Sequence, residues 1–329
     1  PKHCVSFPSV SVITPRLFGI SKQPFAPPRP AAGTDRPSSA KICHSDRSEK
    51  PGVSKKGKKF FNKEFWRFAL SFSIPLIPHY LSQIVLGQSD RIMIDKMIGA
   101  SEAAIYGVSY NLAAVITLFV NAINNSFVPT LYESLKNKKC ENIKKVTTFL
   151  AIFMAALICV FMLFGPEILT LFVAPEYIKA KWIFPPVAAS MFFTFIYLFY
   201  VNVEFYFEKT NYVMFVSVLG AVVNIILNLV FIKKYGFIAA GYTTVFSYIV
   251  FCFAHYLLYK YIAKKEKTGN VYNDGIFMIL GIAVLAFMLI CILLYKFNIV
   301  RYILIALIAV FAVIFRKKLL FAFKKALNK

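Results

Sequence analysis

The sequence predicts an all-helical bundle that crosses a membrane about eight times. Three observations lead there. Of the 329 residues 58% are hydrophobic, only 16% are charged, and the charges gather in short clusters between long apolar runs. Soluble domains hold about 45–50% apolar and about 25% charged residues, so a mean hydropathy of +0.64 lies far to the membrane side. Apolar runs of the ~20 residues that a helix needs to cross a bilayer make one bundled membrane domain the natural organisation.

Residues 1–59 stand apart from the rest. The stretch FAPPRPAAGTDRPSSAKICHSDRSEKPGVSKKGKK is rich in Pro, Ser and basic residues and has no apolar period, so it reads as a disordered tail. It lacks the continuous apolar core of a signal peptide. The chain opens on Pro, and this tail is expected to lie outside the native membrane domain.

The bundle is expected over 60–316, with spans at about 66–94, 104–130, 147–173, 183–206, 212–232, 238–260, 275–295 and 301–316. The first span, over FALSFSIPLIPHYLSQIVLGQSDRIMID, is longer than a bilayer needs and must tilt, kink or protrude. Pro75 and Pro78 each remove a backbone donor and favour a kink. Residues 317–329 form a basic tail that reads as a stop-transfer flank, with binding to an anionic membrane surface as the alternative.

A net charge of +23 raises the question of nucleic acid. The lysines and arginines lie mostly in the short loops between spans, where the positive-inside rule places them, and no nucleic-acid motif accompanies them. With the segment before the first span cytoplasmic, 22 basic residues fall on the cytoplasmic flanks and eight on the other side. Both termini are therefore expected in the cytoplasm. The six cysteines, Cys4, Cys43, Cys140, Cys159, Cys252 and Cys291, form no CxxC pair. They read as inert thiols, with metal binding through His3-Cys4 or Cys43-His44 as the alternative.

Polar residues inside the spans carry the functional question. At 100° per residue, His79, Gln83 and Asp90 share one face of the first span, with Arg91 about 100° from Asp90. In the second span Asn111, Asn121 and Asn125 fall within a sector of about 80°, with Asn124 beside them. Tyr197, Tyr200, Glu204 and Glu208 form a stripe in the fourth span, and Ser217, Gly220, Asn224 and Asn228 form one in the fifth. An ionised side chain at mid-bilayer costs about 2.5–3.5 kcal/mol even on lenient scales. Such stripes therefore imply helix–helix contacts or a watery path.

The small and amide residues Ser217, Gly220, Asn224 and Asn228 suit close packing, and Pro75 and Pro78 suit a hinge. His79, Gln83, Asp90, Arg91, Asn111, Asn121, Asn124, Asn125 and Glu204 are the candidate lining of a polar cavity. Asp90, Arg91, Glu204 and Glu208 are read as lying toward span ends, where snorkelling suffices, and an Asp90–Arg91 ion pair is one expected arrangement. No GxSxG, HExxH or phosphate-loop pattern is present, so no catalytic residue, metal or cofactor is expected.

The segment FSIPLIPHYLSQIVLGQSDRIMIDKMIGASEAAIYGVSYNLAAVI resembles the start of the second half of bacterial polysaccharide flippases, members of the multidrug/oligosaccharidyl-lipid/polysaccharide exporter superfamily. AVVNIILNLVFIKKYGFIAAGYTTVFSYIV is similar to a second pattern of that family, although Lys233 stands where a proline is usual and AAGYTT replaces Gly-Ala-Ala. The resemblance covers about 64–329 and implies the C-terminal lobe of a two-lobe transporter, with the first lobe absent from this sequence. It implies flipping of a polyprenyl-diphosphate-linked oligosaccharide across the bacterial cytoplasmic membrane, with membrane lipids and polysaccharide assembly proteins as further partners. In such a lobe Arg91, His79, Gln83 and the asparagines would favour the diphosphate, and Asn111, Asn121, Asn124, Asn125 and Gln83 would supply partners for sugar hydroxyls.

Three rivals remain open at this point. An ion-coupled efflux transporter for cationic drugs would need buried carboxylates, which the reading above places at span ends. A flippase for the peptidoglycan lipid precursor differs only in headgroup. A membrane enzyme of polysaccharide assembly would need large outer loops, and these loops hold only about 5–10 residues.

Overall fold

The computed structural model describes residues 63–307 and residue 314. The expected tails over 1–59 and 317–329 therefore lie outside the described residues, as does most of the last expected span. The described chain is helical from end to end: α1 (Lys63–Ser73), α2 (Leu76–Met97), α3 (Ala100–Ala114), α4 (Ile116–Lys136), α5 (Glu141–Leu163), α6 (Gly165–Phe172), a 3-10 helix (Pro175–Trp182), α7 (Phe184–Tyr206), α8 (Thr210–Tyr235), α9 (Ile238–Lys265) and α10 (Asp274–Leu294). A shorter apolar helix, α11 (Asn298–Leu307), follows.

Seven stretches among the described residues are long and apolar enough to cross a membrane. They overlap the first seven spans expected from sequence, although the third runs over Glu141–Leu163 and not over 147–173. The chain is a multi-pass membrane protein of all-helical fold.

Three spans are broken, each for a local reason. Pro75 has no N–H, so the ladder stops there; Ile77 N–H instead bonds the Ile74 carbonyl at 3.2 Å and α2 starts afresh. The break at Val115, between α3 and α4, involves no proline or glycine and was not expected. There the Thr117 hydroxyl bonds the Ala114 carbonyl at 2.5 Å, the kind of side-chain bond that competes with the helical ladder. The third break lies at Gly165-Pro166. A Cβ on Gly165 would meet the Tyr295 hydroxyl and come within 2.7 Å of Phe184 Cδ1, so the close approach admits glycine only.

α7 is the hub. Of its most apolar window 83% is buried inside the bundle, against 22–56% for the other spans. Around it pack α9, α5, α10 and α3, while α8 and α2 pair with each other and against α9. Large apolar side chains such as Ile77, Leu118, Phe215, Phe253 and Ile282 remain exposed on the outside. A bilayer would cover this surface.

Polar contacts tie the two ends. At the proximal end, where α1 begins, Lys209 pairs with Glu266 at 3.2 Å and Lys260 with Asp274 at 3.0 Å. The Tyr272 hydroxyl there bonds the Phe199 carbonyl at 2.7 Å. At the distal end Arg301 of α11 is buried and pairs with Glu167 of α6, which also accepts from the Tyr302 hydroxyl at 2.8 Å.

Candidate functional site

The polar residues of α2, α3, α7, α8 and α9 divide into a buried spine and an accessible patch. The spine follows from helical spacing. α2 buries His79, Ser82, Leu86, Gly87, Asp90 and Ile94, while α8 buries Val213, Ser217, Gly220, Ala221, Asn224, Asn228 and Ile232. Both sets recur every three or four residues, so each forms one stripe, and the two stripes face each other. A small residue on α8 also lets α9 approach closely: a Cβ on Gly220 would come within 3.2 Å of Phe251 Cβ.

Two hydrogen-bonded clusters occupy this spine. In the distal cluster Asp90 is fully buried. Its carboxylate accepts from the Tyr106 hydroxyl at 2.5 Å, the Thr244 hydroxyl at 2.6 Å and the Asn228 amide at 2.5 Å. The Thr243 hydroxyl in turn donates to Asn228 Oδ1. One turn nearer the middle, the Ser89 hydroxyl donates to Asn224 Oδ1 at 2.7 Å. In the proximal cluster Ser217 Oγ stands 2.6 Å from His79 Nδ1 and 3.4 Å from His255 Nε2, and His255 Nδ1 lies 2.8 Å from Glu204 Oε2.

The two clusters share a register. His79 and Asp90 on α2, Ser217 and Asn228 on α8, and His255 and Thr244 on α9 are each 11 residues apart. Eleven residues make just over three full turns and span about 16 Å. Three helices thus each supply one polar side chain to both clusters.

The accessible patch lies on α2, α3 and α4. Half-buried Arg91 donates from Nη2 to Asn111 Oδ1 at 2.5 Å and to the Gly107 carbonyl at 3.4 Å. Its guanidinium stands 5.1 Å over the Tyr110 ring, and Nε is buried without a partner. On α4, half-buried Asn124 accepts from Asn202 of α7 at 2.8 Å, Asn121 is half-buried and Asn125 is exposed. Gln83 is half-buried, and its Nε2 has no partner.

Several expectations change here. Asp90 and Glu204 are fully buried rather than snorkelling at span ends, because neighbouring helices supply the partners that water would have given. No Asp90–Arg91 ion pair forms among the described residues; neutral donors hold Asp90, and Arg91 turns to α3. The break at Val115 puts Asn111 on α3 and Asn121, Asn124 and Asn125 on α4, so they do not share one straight face.

Sequence reasoning passed over Tyr106, Asn202, Thr243, Thr244 and His255 as site residues. The 11-residue spacing from Thr244 to His255, matching those on α2 and α8, is the signal that points to two of them. Among the described residues no group of three or more His, Cys, Asp or Glu side chains is arranged to hold a metal ion.

Comparison with known proteins fits this architecture. Residues 47–135, which include α1–α3, all of α4 but its last residue, and the Arg91–Asn111 contact, match the family model described as polysaccharide biosynthesis protein. The chain is 27% identical over 160 residues to a protein of the Lsg locus of Haemophilus influenzae, covering 48% of this chain and 40% of that protein. It is 28% identical over 171 residues to an uncharacterized membrane protein of the same organism, covering 50% of this chain and 42% of the relative. The chain thus spans about two-fifths of the length of these curated relatives.

Among solved structures, an outward-facing multidrug resistance MATE family transporter of the MOP superfamily superposes with a TM-score of 0.50 at 20% identity, covering 57% of this chain and 44% of that one. The chain is therefore similar in sequence to polysaccharide biosynthesis proteins. It has the fold of part of an exporter-superfamily transporter.

Proposed function

We propose that this chain forms one lobe of a transporter that moves a polyprenyl-diphosphate-linked oligosaccharide across the bacterial cytoplasmic membrane, both termini facing the cytoplasm. The observation that carries the reading is the match of residues 47–135 to the polysaccharide biosynthesis family model, because that segment holds the accessible cationic patch. Arg91 is positioned by Asn111 and by the Tyr110 ring, and both of its hydrogen bonds come from Nη2, which leaves the Nη1 donors for a ligand. A guanidinium so prepared suits an oxyanion such as a diphosphate. Asn111, Asn121, Asn125 and Gln83 offer amide partners for sugar hydroxyls, and the lipid tail would stay in the bilayer beside the lobe. Membrane lipids and polysaccharide assembly proteins complete the expected partners.

A second reading, ion-coupled efflux of cationic compounds, is favoured by one observation: Asp90 and Glu204 are buried carboxylates, which such a carrier uses for coupling.

One experiment separates the two readings. In cells carrying the complete transporter, Arg91→Ala is expected to cause unflipped lipid-linked sugar to accumulate at least tenfold over wild type, with Arg91→Lys intermediate. Normal sugar-lipid turnover in Arg91→Ala, together with lost resistance to a cationic dye in Asp90→Asn, would replace the first reading by the second.

A further inference from the structure

The proximal cluster joins four helices through side chains that titrate. His79 comes from α2, Ser217 from α8, His255 from α9 and Glu204 from α7, linked in that order at 2.6, 3.4 and 2.8 Å. Ser217, His255 and Glu204 are fully buried, and His79 is 2% exposed, so what access the chain has lies at His79. Glu204 Oε1 is buried and has no partner.

We infer that His79, Ser217, His255 and Glu204 form a proton-binding chain inside the lobe, with His79 as its entry and Glu204 as its store.

Aromatic rings wall the chain. Phe251 lies 4.7 Å and Tyr197 5.5 Å from the His255 ring, and Phe205 lies 5.7 Å and Tyr80 5.1 Å from the His79 ring. The two imidazoles are themselves 6.4 Å apart. The titratable groups brought against the chain are Tyr80 from α2, Tyr197 from α7 and Cys252 from α9, which lies one turn before His255; α8 supplies only Ser217. Among the described residues no lysine or arginine bonds any member. A charge on Glu204 can therefore be offset only by protonating His255 or Glu204 itself, since a buried unpaired carboxylate is neutralised rather than tolerated.

The transfer balances without a further reactant. A proton arrives on His79 Nε2, and the Nδ1 proton of that ring passes to Ser217 Oγ. The Ser217 hydroxyl proton moves to His255 Nε2, and the His255 Nδ1 proton moves to Glu204 Oε2. One proton enters, Glu204 becomes neutral and both rings exchange tautomers. A metal ion fits less well, because one carboxylate and two rings bridged by a hydroxyl form a line and not a cage. The proton site stands on this geometry alone. Its use as the coupling ion of a transporter rests on the proposed function.

The test is infrared difference spectroscopy of the full chain in lipid, stepped in pH. Wild type is expected to show a protonated carboxyl band whose intensity changes with pH. That band should vanish in Glu204→Gln, which keeps the shape and the bond to His255. Its midpoint should move by about one pH unit or more in His255→Gln. In Ser217→Ala hydrogen–deuterium exchange of the carboxyl should slow at least tenfold.

Difference spectra of Glu204→Gln that superimpose on wild type would overturn the site. Unchanged exchange in Ser217→Ala would overturn the relay. Should Glu204→Gln fail to fold, Glu204→Asp, which keeps a carboxyl at shorter reach, decides the same point by displacing the band; an unmoved band would overturn the site. Loss of sugar-lipid flipping at every pH with the band intact would sink the transport reading and leave the proton site standing.

Discussion

Replacing Asp90 by alanine removes the acceptor at the centre of the distal cluster and leaves three donors, from Tyr106, Thr244 and Asn228, buried around a void. A bond to a charged group contributes about 1.5–3 kcal/mol, whereas polar contacts within membranes average about 0.6 and reach about 1.7 kcal/mol. The structure narrows that range, because two donors have other options. The Thr244 hydroxyl also reaches the Ala240 carbonyl at 2.7 Å, and the Tyr106 hydroxyl lies 3.2 Å from Thr244 Oγ1.

Asn228 has less recourse. Its amide keeps only Asn224 Oδ1 at 3.3 Å. Asp90→Ala is therefore expected to lower stability by about 2–4 kcal/mol and Asn228→Ala by about 1–3, with the double variant falling short of their sum by about 1–2 kcal/mol. Reversible unfolding of the chain in mixed detergent micelles measures all four corners of the cycle, with exposed Asp95→Ala as the neutral control. A coupling below about 0.3 kcal/mol, with both single variants destabilised, would mean that the amide does not hold the carboxylate.

Further outcomes follow from packing. Gly220→Ala is expected to cost about 1–3 kcal/mol because its Cβ would press on Phe251. Gly275→Ala, where nothing lies within 4 Å, should be neutral or slightly stabilising in the same unfolding assay. At the distal end, Glu167→Ala strands the buried Arg301 guanidinium, two of whose nitrogens already lack partners. It should cost about 2–4 kcal/mol, more than Arg301→Leu, because Glu167→Ala leaves a buried guanidinium unpaired, whereas Arg301→Leu leaves a carboxylate that is one-third exposed and still bonded by Tyr302. A reversed order in thermal unfolding would show that Arg301 is held by the Tyr295 and Tyr302 rings alone.

Element type and number were legible because a bilayer allows little else. Once seven windows are apolar over about 20 residues, each backbone must satisfy its own bonds as a helix. The break at Pro75 was legible for the same reason, since a missing N–H is written in the sequence. The break at Val115 was not: Val-Ile-Thr carries no breaker, and the Thr117 bond that closes it depends on the local turn.

The site was legible in part. Reading one helix at a time found the stripes of α2 and α8 but could not say what faced them. That choice decides whether Asp90 meets water or Tyr106, Thr244 and Asn228. Proximity to a span end does not by itself give access to solvent. In the structure α3 and α9 close over Asp90, and α9 meets Glu204 with His255.

The buried position of these acids changes what the helix contacts mean. Apolar contact does little to hold one helix against another in lipid, because acyl chains are as apolar as leucine. Partner choice among α2, α7, α8 and α9 must therefore come from shape and from hydrogen bonds. Here the shape is supplied by Gly87, Ser217, Gly220 and Gly241, and the bonds by two clusters held in a common 11-residue register. A slip of one turn in any of the three long helices would break both clusters together, whereas apolar ridges alone would accept it at small cost. The clusters thus fix the register of the bundle. Any event that alters one of them, such as a proton reaching Glu204, acts on an element to which four helices are already bound.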